Sequence, residues 1–150
     1  MLKYKTTACA LLLMIVLLSL LTACGGVRYQ DGFYYAELPE FGDSGWKEIA
    51  EVTIEGGKIA KINWDAVYID DSIPIRKKQY SKSGLYGMLK GGASGEWYDQ
   101  ATVAQQFVME YGIDALNLSA DGYSDAVSGC TINMNSFDTL FRQCLEQAKR

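Results

Sequence analysis

Histidine is missing from all 150 residues of this chain, which excludes a Ser-His-Asp triad, a histidine proton shuttle and histidine metal ligands. Basic residues are also short: 14 Lys and Arg stand against 18 Asp and Glu, and they form no dense cluster. Nucleic acid is therefore not an expected partner. Internal repeats are absent, so the chain encodes one copy of one domain. Two prolines in the whole sequence leave long segments free to form regular structure.

The first residues carry Lys3 and Lys5, then an uncharged apolar run over 8–21. A short basic start followed by an apolar run of this length reads as a secretory signal, too short for a membrane span. The run closes on Leu21-Thr22-Ala23-Cys24, which looks like a bacterial lipobox, with Gly25-Gly26 directly behind it. The likeness implies cleavage before Cys24, diacylation of its thiol and a flexible tether. The expected organisation is a signal peptide at 1–23, the lipidated cysteine and tether at 24–30, and one domain at 31–150. Two acyl chains hold a protein firmly on a membrane. The formal charge of -4 includes the two leader lysines, so the mature domain is more acidic still. Of the four cysteines, Cys130 and Cys144 then remain in the domain. A disulfide between them is excluded by spacing: Cys144 lies two turns inside an expected helix, over ~12 Å away, beyond the ~7 Å that a bridge spans.

Strand patterns come first along the domain. Residues 29–37 open with the turn pair Asp31-Gly32 and continue with strand-prone aromatics. Residues 46–54 and 58–69 alternate across Glu55-Gly56-Gly57, a hairpin signal. Ala50, Val52 and Ile54 are expected on one face, opposite Ala60, Ile62, Trp64, Ala66 and Tyr68. Helical periodicity follows. Residues 96–111 place Trp97, Ala101, Ala104, Phe107, Val108 and Tyr111 together, with Ser94 as an N-cap and Gly112 as the stop. Residues 136–148 carry the stripe Phe137, Leu140, Phe141, Cys144, Leu145 and Ala148, with Asn133 or Asn135 as cap. Between them, Arg76-Lys77-Lys78 opens a short helix and 81–95 is glycine-rich. Strands first and helices later predict an α+β fold, an antiparallel hairpin or meander covered by C-terminal helices.

The chemistry concentrates in Asp125-Ala126-Val127-Ser128-Gly129-Cys130-Thr131. This segment resembles the D-x-x-(S/T)-G-A-T signature of FMN-binding domains, in which FMN is joined through its phosphate to the threonine. Cys130 stands where those domains usually have alanine. The Asp31-Gly32-x-Tyr34 opening, Tyr98-Asp99-Gln100-Ala101, Gly112-Ile113-Asp114 and Leu116-Asn117-Leu118 extend the resemblance over most of the domain. Such domains occur in flavin-carrying subunits of ion-pumping membrane oxidoreductases and in bacterial electron-transfer lipoproteins.

The resemblance implies that Thr131 carries covalent FMN, that Ser128, Gly129 and Cys130 shape the loop, and that Asp125 serves recognition by a flavin transferase or forms the turn. It implies maturation by a separate transferase using FAD and magnesium. It further implies a lipid-anchored electron carrier on the extracytoplasmic face of a bacterial membrane, not an enzyme, working between a membrane donor and an extracytoplasmic acceptor or reductase. An unactivated threonine hydroxyl is a poor nucleophile, in keeping with a dedicated transferase. A phosphate at 131 would lie just before a helix N-terminus, with Asn133, Asn135 and Ser136 as polar neighbours. Tyr123, Trp97, Tyr86 and Trp64 are the aromatic candidates for the flavin ring, with Trp97 and Trp64 better suited to the core. Flavin-free ligand or protein binding by the same lipoprotein, or noncovalent FMN, is the alternative.

Overall fold

The computed structural model describes residues 29–149. The leader, Cys24 and most of the tether lie outside the described residues. The described residues form three strands, β1 (Gly32–Glu37), β2 (Trp46–Glu55) and β3 (Lys58–Tyr68), followed by three helices, α1 (Lys77–Lys82), α2 (Trp97–Tyr111) and α3 (Asn135–Ala148). Single 3-10 turns sit at Leu89–Gly91 and Ile113–Leu116. The strands pair in sequence order as an antiparallel meander. The architecture is the α+β arrangement that the order of patterns predicts.

The β2–β3 turn is tight because Gly56 and Gly57 both take positive φ, 60° and 76°. That combination matches strand twist and is open to glycine at little cost. Asp31 fastens the turn from the neighbouring strand: its carboxylate accepts the Gly56 and Gly57 N–H groups at 3.0 and 2.7 Å. The expected turn pair thus serves the next hairpin, while Gly32 already begins β1.

Alternation places Ala50 opposite Trp64 and Val52 opposite Ile62, all buried. Past this point the register shifts: Thr53 faces Lys61 but Ile54 faces Ile59. The bulge leaves Ala60 as the extra residue, exposed instead of on the expected core face, and brings Ile59 to the core. One inserted residue reverses the face of everything beyond it.

Helix α3 lies over β1 and β2. Its stripe of Phe137, Leu140, Phe141, Cys144 and Ala148 is buried, as the periodicity predicts. The Phe137 ring stacks on Trp64 at 4.8 Å with an 11° interplanar angle. The Trp97 ring meets Trp64 edge-on at 5.1 Å.

Helix α2 protects the open edge of the sheet. The Trp64 N–H donates to Gln105 Oε1 at 2.9 Å, and Lys78 Nζ donates to the same oxygen at 2.9 Å. An edge N–H satisfied by a side chain is unavailable to another strand. The helix starts at Trp97 with Glu96 at the N-cap position, not Ser94. Asp99 accepts the Glu96 N–H at 3.2 Å, while the Glu96 carboxylate accepts the Met88 and Leu89 N–H groups at 3.3 Å. Tyr111, expected on the buried face, is 59% exposed and packs its ring against Phe107 at 4.9 Å. In its place the buried face includes Gln100 and Gln105.

Trp64 and Phe137 share the centre of this packing. Truncating Phe137→Ala removes the stacked ring and opens a cavity, and is expected to lower the free energy of unfolding by about 3–5 kcal/mol. Urea denaturation monitored by tryptophan fluorescence measures this, with an unchanged m-value showing that the fold is retained.

Candidate functional site

The loop from 119 to 134 carries the singled-out heptad and is built by alternation of anchors and exposed residues. Ser124, Val127, Cys130, Ile132 and Met134 are buried; Asp125, Ser128, Gly129 and Thr131 are exposed. Ser124 ties the loop down, donating its hydroxyl to the Leu116 carbonyl and accepting the Ala126 N–H at 3.1 Å. Val127 O accepts the Cys130 N–H at 3.2 Å, closing a turn through Ser128 and Gly129. Gly129 has φ 79°, and an added Cβ would meet nothing within 4 Å. Glycine is therefore favoured there for its conformation, and open space borders the turn.

Thr131 has its backbone and its hydroxyl held by one buried atom. Gln100 Oε1 accepts the Thr131 N–H at 2.6 Å and the Thr131 hydroxyl at 3.1 Å. Gln100 is 1% exposed, and its own Nε2 donates to the Gly95 carbonyl at 3.0 Å. Gln100 lies in the Tyr98-Asp99-Gln100-Ala101 segment, and only the fold gives it this role. A polar residue between Trp97 and Ala101 on a mostly apolar helix face is the signal that marks it.

Cys130 points the other way. It is 6% exposed, and its thiol lies 3.7 Å from Met134 Sδ. Burial pushes its pKa up, opposed by the Ile132 backbone N–H. A cysteine at this position acts as a small apolar side chain, so its exchange with alanine concerns packing beneath the loop, not the surface beside Thr131. Cys144 is also buried and free, its pKa pushed up by burial to about 11, and its thiol faces the Ala50 carbonyl at 3.6 Å.

The polar neighbours expected around Thr131 have other duties. Ser136 hydrogen-bonds the Glu48 carboxylate; Asn133 Nδ2 donates to the Asp121 carbonyl at 2.6 Å, and its Oδ1 accepts the Asn135 N–H at 3.0 Å. The Met134 N–H is taken by Gly122 O at 2.8 Å. The start of α3 is thus occupied by its own loop, because a buried helix end must find partners within the fold. Neither Asn133 nor Asn135 is the N-cap; Met134 is.

Of the four aromatic candidates, Trp64 and Trp97 belong to the core and Tyr123 is 49% exposed. Tyr86 shares a buried cation with Trp97: Lys77 Nζ lies 4.4 Å from the Trp97 ring centroid and 5.0 Å from that of Tyr86. Glu48 completes this cluster, 3.7 Å from Lys77 Nζ and accepting Trp64 Nε1–H at 2.9 Å. Burial lowers the Lys77 pKa and Glu48 opposes that shift. The cluster fixes α1 against the sheet.

A separate open groove of about 620 Å³ runs between β3 and α2, lined by Ile62, Asn63, Lys78, Tyr98, Gln105 and Met109 among others. No heptad residue lines it.

The fold and loop define a small α+β domain that presents one exposed threonine just ahead of its C-terminal helix. A solution NMR structure of a Clostridium thermocellum protein matches 80% of this chain and 92% of its own, with a TM-score of 0.59 and 32% identity. The chain belongs to the same family as that protein. A crystal structure of a Clostridium perfringens protein shares the fold at a TM-score of 0.60 and 18% identity, over 80% of this chain and 88% of its own. The 15 kDa lipoprotein of Treponema pallidum (strain Nichols) is 27% identical over 131 residues, 87% of this chain and 84% of the relative. No protein-family profile matches the chain. Among the described residues, no helix is long and apolar enough to cross a membrane.

Both thiols are buried and protonated well above neutrality, since the thiolate is the reactive form. Neither Cys130 nor Cys144 should react with maleimide in the folded domain at pH 8, and both should react at once in denaturant. Mass spectrometry of the labelled peptides checks this.

Proposed function

We propose that the protein is a membrane-anchored, extracytoplasmic electron carrier with FMN attached through its phosphate to Thr131. The single observation that supports this most is the placement of Thr131: an exposed residue beside an open glycine turn, on a loop whose alternate residues are anchored in the core. A transferase needs to reach the hydroxyl without unfolding the domain, and this loop allows that. The heptad's likeness to the FMN-attachment signature supplies the chemical identity of the modification. The fit is physical as well: the turn has room for a bulky group, and Gln100 holds the backbone at the attachment point.

In this reading FMN, when bound, supplies reversible redox chemistry at the loop. The residues of the chain hold and orient it. Ser128 and Gly129 border the attachment point, Cys130 roots the loop beneath it, and Asp125, exposed at the loop's start, is left free for transferase recognition. The naming of the Treponema relative as a lipoprotein supports Cys24 as the site of a lipid anchor in this chain. A donor in the membrane and an acceptor or reductase outside it would be met by collision at the exposed loop.

The groove between β3 and α2 favours a second reading, a flavin-free envelope lipoprotein that binds a partner there. Noncovalent FMN on the same lipoprotein is a third reading.

The full chain, exported beside an active flavin transferase, is digested and the peptide holding Thr131 is weighed. A gain of one FMN less one water on Thr131 is expected, and Thr131→Ala should be colourless with an unchanged circular dichroism spectrum. An unmodified Thr131 with the transferase active on a control substrate would leave the second reading in its place. Cys130→Ala should be flavinylated within about twofold of wild type, because its side chain faces the core.

A further inference from the structure

We infer that Gln100 is the positioning residue for modification of Thr131, a proposal that rests on the covalent reading above. Its side chain is buried, and its orientation is fixed from both ends. The Thr131 N–H requires an acceptor at 2.6 Å and the Gly95 carbonyl requires a donor at 3.0 Å. Turning the amide over would set N–H against N–H and oxygen against oxygen, so Oε1 faces Thr131. The same oxygen then receives the Thr131 hydroxyl at 3.1 Å. The bond holds Thr131 Oγ in one place on the loop.

This arrangement suits phosphoryl transfer to an outside enzyme. In the step, the Thr131 O–H turns from Gln100 Oε1 to a base of the transferase, Oγ forms a bond to the flavin-side phosphorus of FAD, the P–O bond of the pyrophosphate breaks, AMP leaves with the bridging oxygen, and the hydroxyl proton passes to that base. No oxidation occurs. The transferase supplies the base and the metal, so the acceptor threonine contributes chiefly by the position of its Oγ. A neutral amide cannot serve as base, but its bonds to the Thr131 N–H and hydroxyl set the rotamer from which Oγ attacks. After transfer the hydroxyl hydrogen is gone and the Thr131 N–H still holds the loop to Gln100. The anchor therefore serves both the unmodified and the modified protein.

The test uses the full chain, purified without flavin, with flavin transferase, FAD and magnesium. Initial rates of covalent incorporation are followed by flavin fluorescence of the denatured protein. Gln100→Met keeps the side chain's length and removes the acceptor. Its maximal rate should fall at least about tenfold with the KM for the acceptor protein unchanged, since docking of the exposed loop is retained. Gln100→Glu should recover most of that rate. Burial favours the neutral acid, whose carbonyl accepts from Thr131 while its hydroxyl donates to Gly95 O. A structural role alone would instead raise KM and lower stability without rescue of the maximal rate.

Gln100→Met modified at the wild-type rate overturns the proposal. Should that variant not fold, NMR of the unmodified wild type decides: three-bond couplings to Thr131 Cγ2 must report one χ1 rotamer, and rotamer-averaged values overturn it. Absence of flavin on wild-type Thr131 ends the covalent reading and this proposal with it. A modified wild type beside an equally fast Gln100→Met ends only this one.

Discussion

Trp64 is the contact on which the rest of the domain depends. Its ring lies between Phe137 of α3 and Trp97 of α2, its indole N–H is fixed by Glu48, and its backbone N–H is fixed by Gln105. One residue in an edge strand thereby joins the sheet to both long helices. Its burial is complete, and both of its polar groups have partners inside the protein. Leaving either N–H unpaired in this core would cost about 1–3 kcal/mol, so the ring, the Glu48 carboxylate and the Gln105 amide oxygen form one unit.

The loop at Thr131 inherits its geometry from that unit. Trp97 fixes the first turn of α2 against Trp64, and Gln100 follows one turn later on the same face. Phe137 fixes the first turn of α3, and Gln100 near the start of α2 holds Thr131. Held in this way and flanked by buried Cys130 and Ile132, the exposed threonine occupies a defined place. The proposed modification at Thr131 rests on that combination of an exposed threonine and a buried support.

Much of this was legible in the sequence, for reasons that are local. The hairpin follows from period-two alternation and two adjacent glycines, and α3 from its i, i+3, i+4 stripe; neither needs knowledge of distant residues. The small and polar residues of the heptad mark it as a loop, but not the burial of Val127 and Cys130 within it. The bulge at Ala60 was not, since an alternating apolar run reads equally well in either phase. The uses of Asp31, Gln100, Gln105, Glu48 and Ser136 were not legible either. Each pairs with a residue far along the chain, and a polar side chain on its own gives no sign of which distant group it will meet.

The absence of histidine, the leader pattern with Cys24, the order of strands before helices and the heptad ending at Thr131 belong to the amino-acid sequence by itself. Tertiary structure alone decided which way the heptad's side chains point. It turned Cys130 inward as a core residue, left Thr131 exposed with its hydroxyl on Gln100, and engaged Ser136 and Asn133 in holding the helix start. The physical reason is that local patterns fix the periodicity of a segment. Orientation and partners are fixed only when buried polar groups from distant segments must satisfy one another.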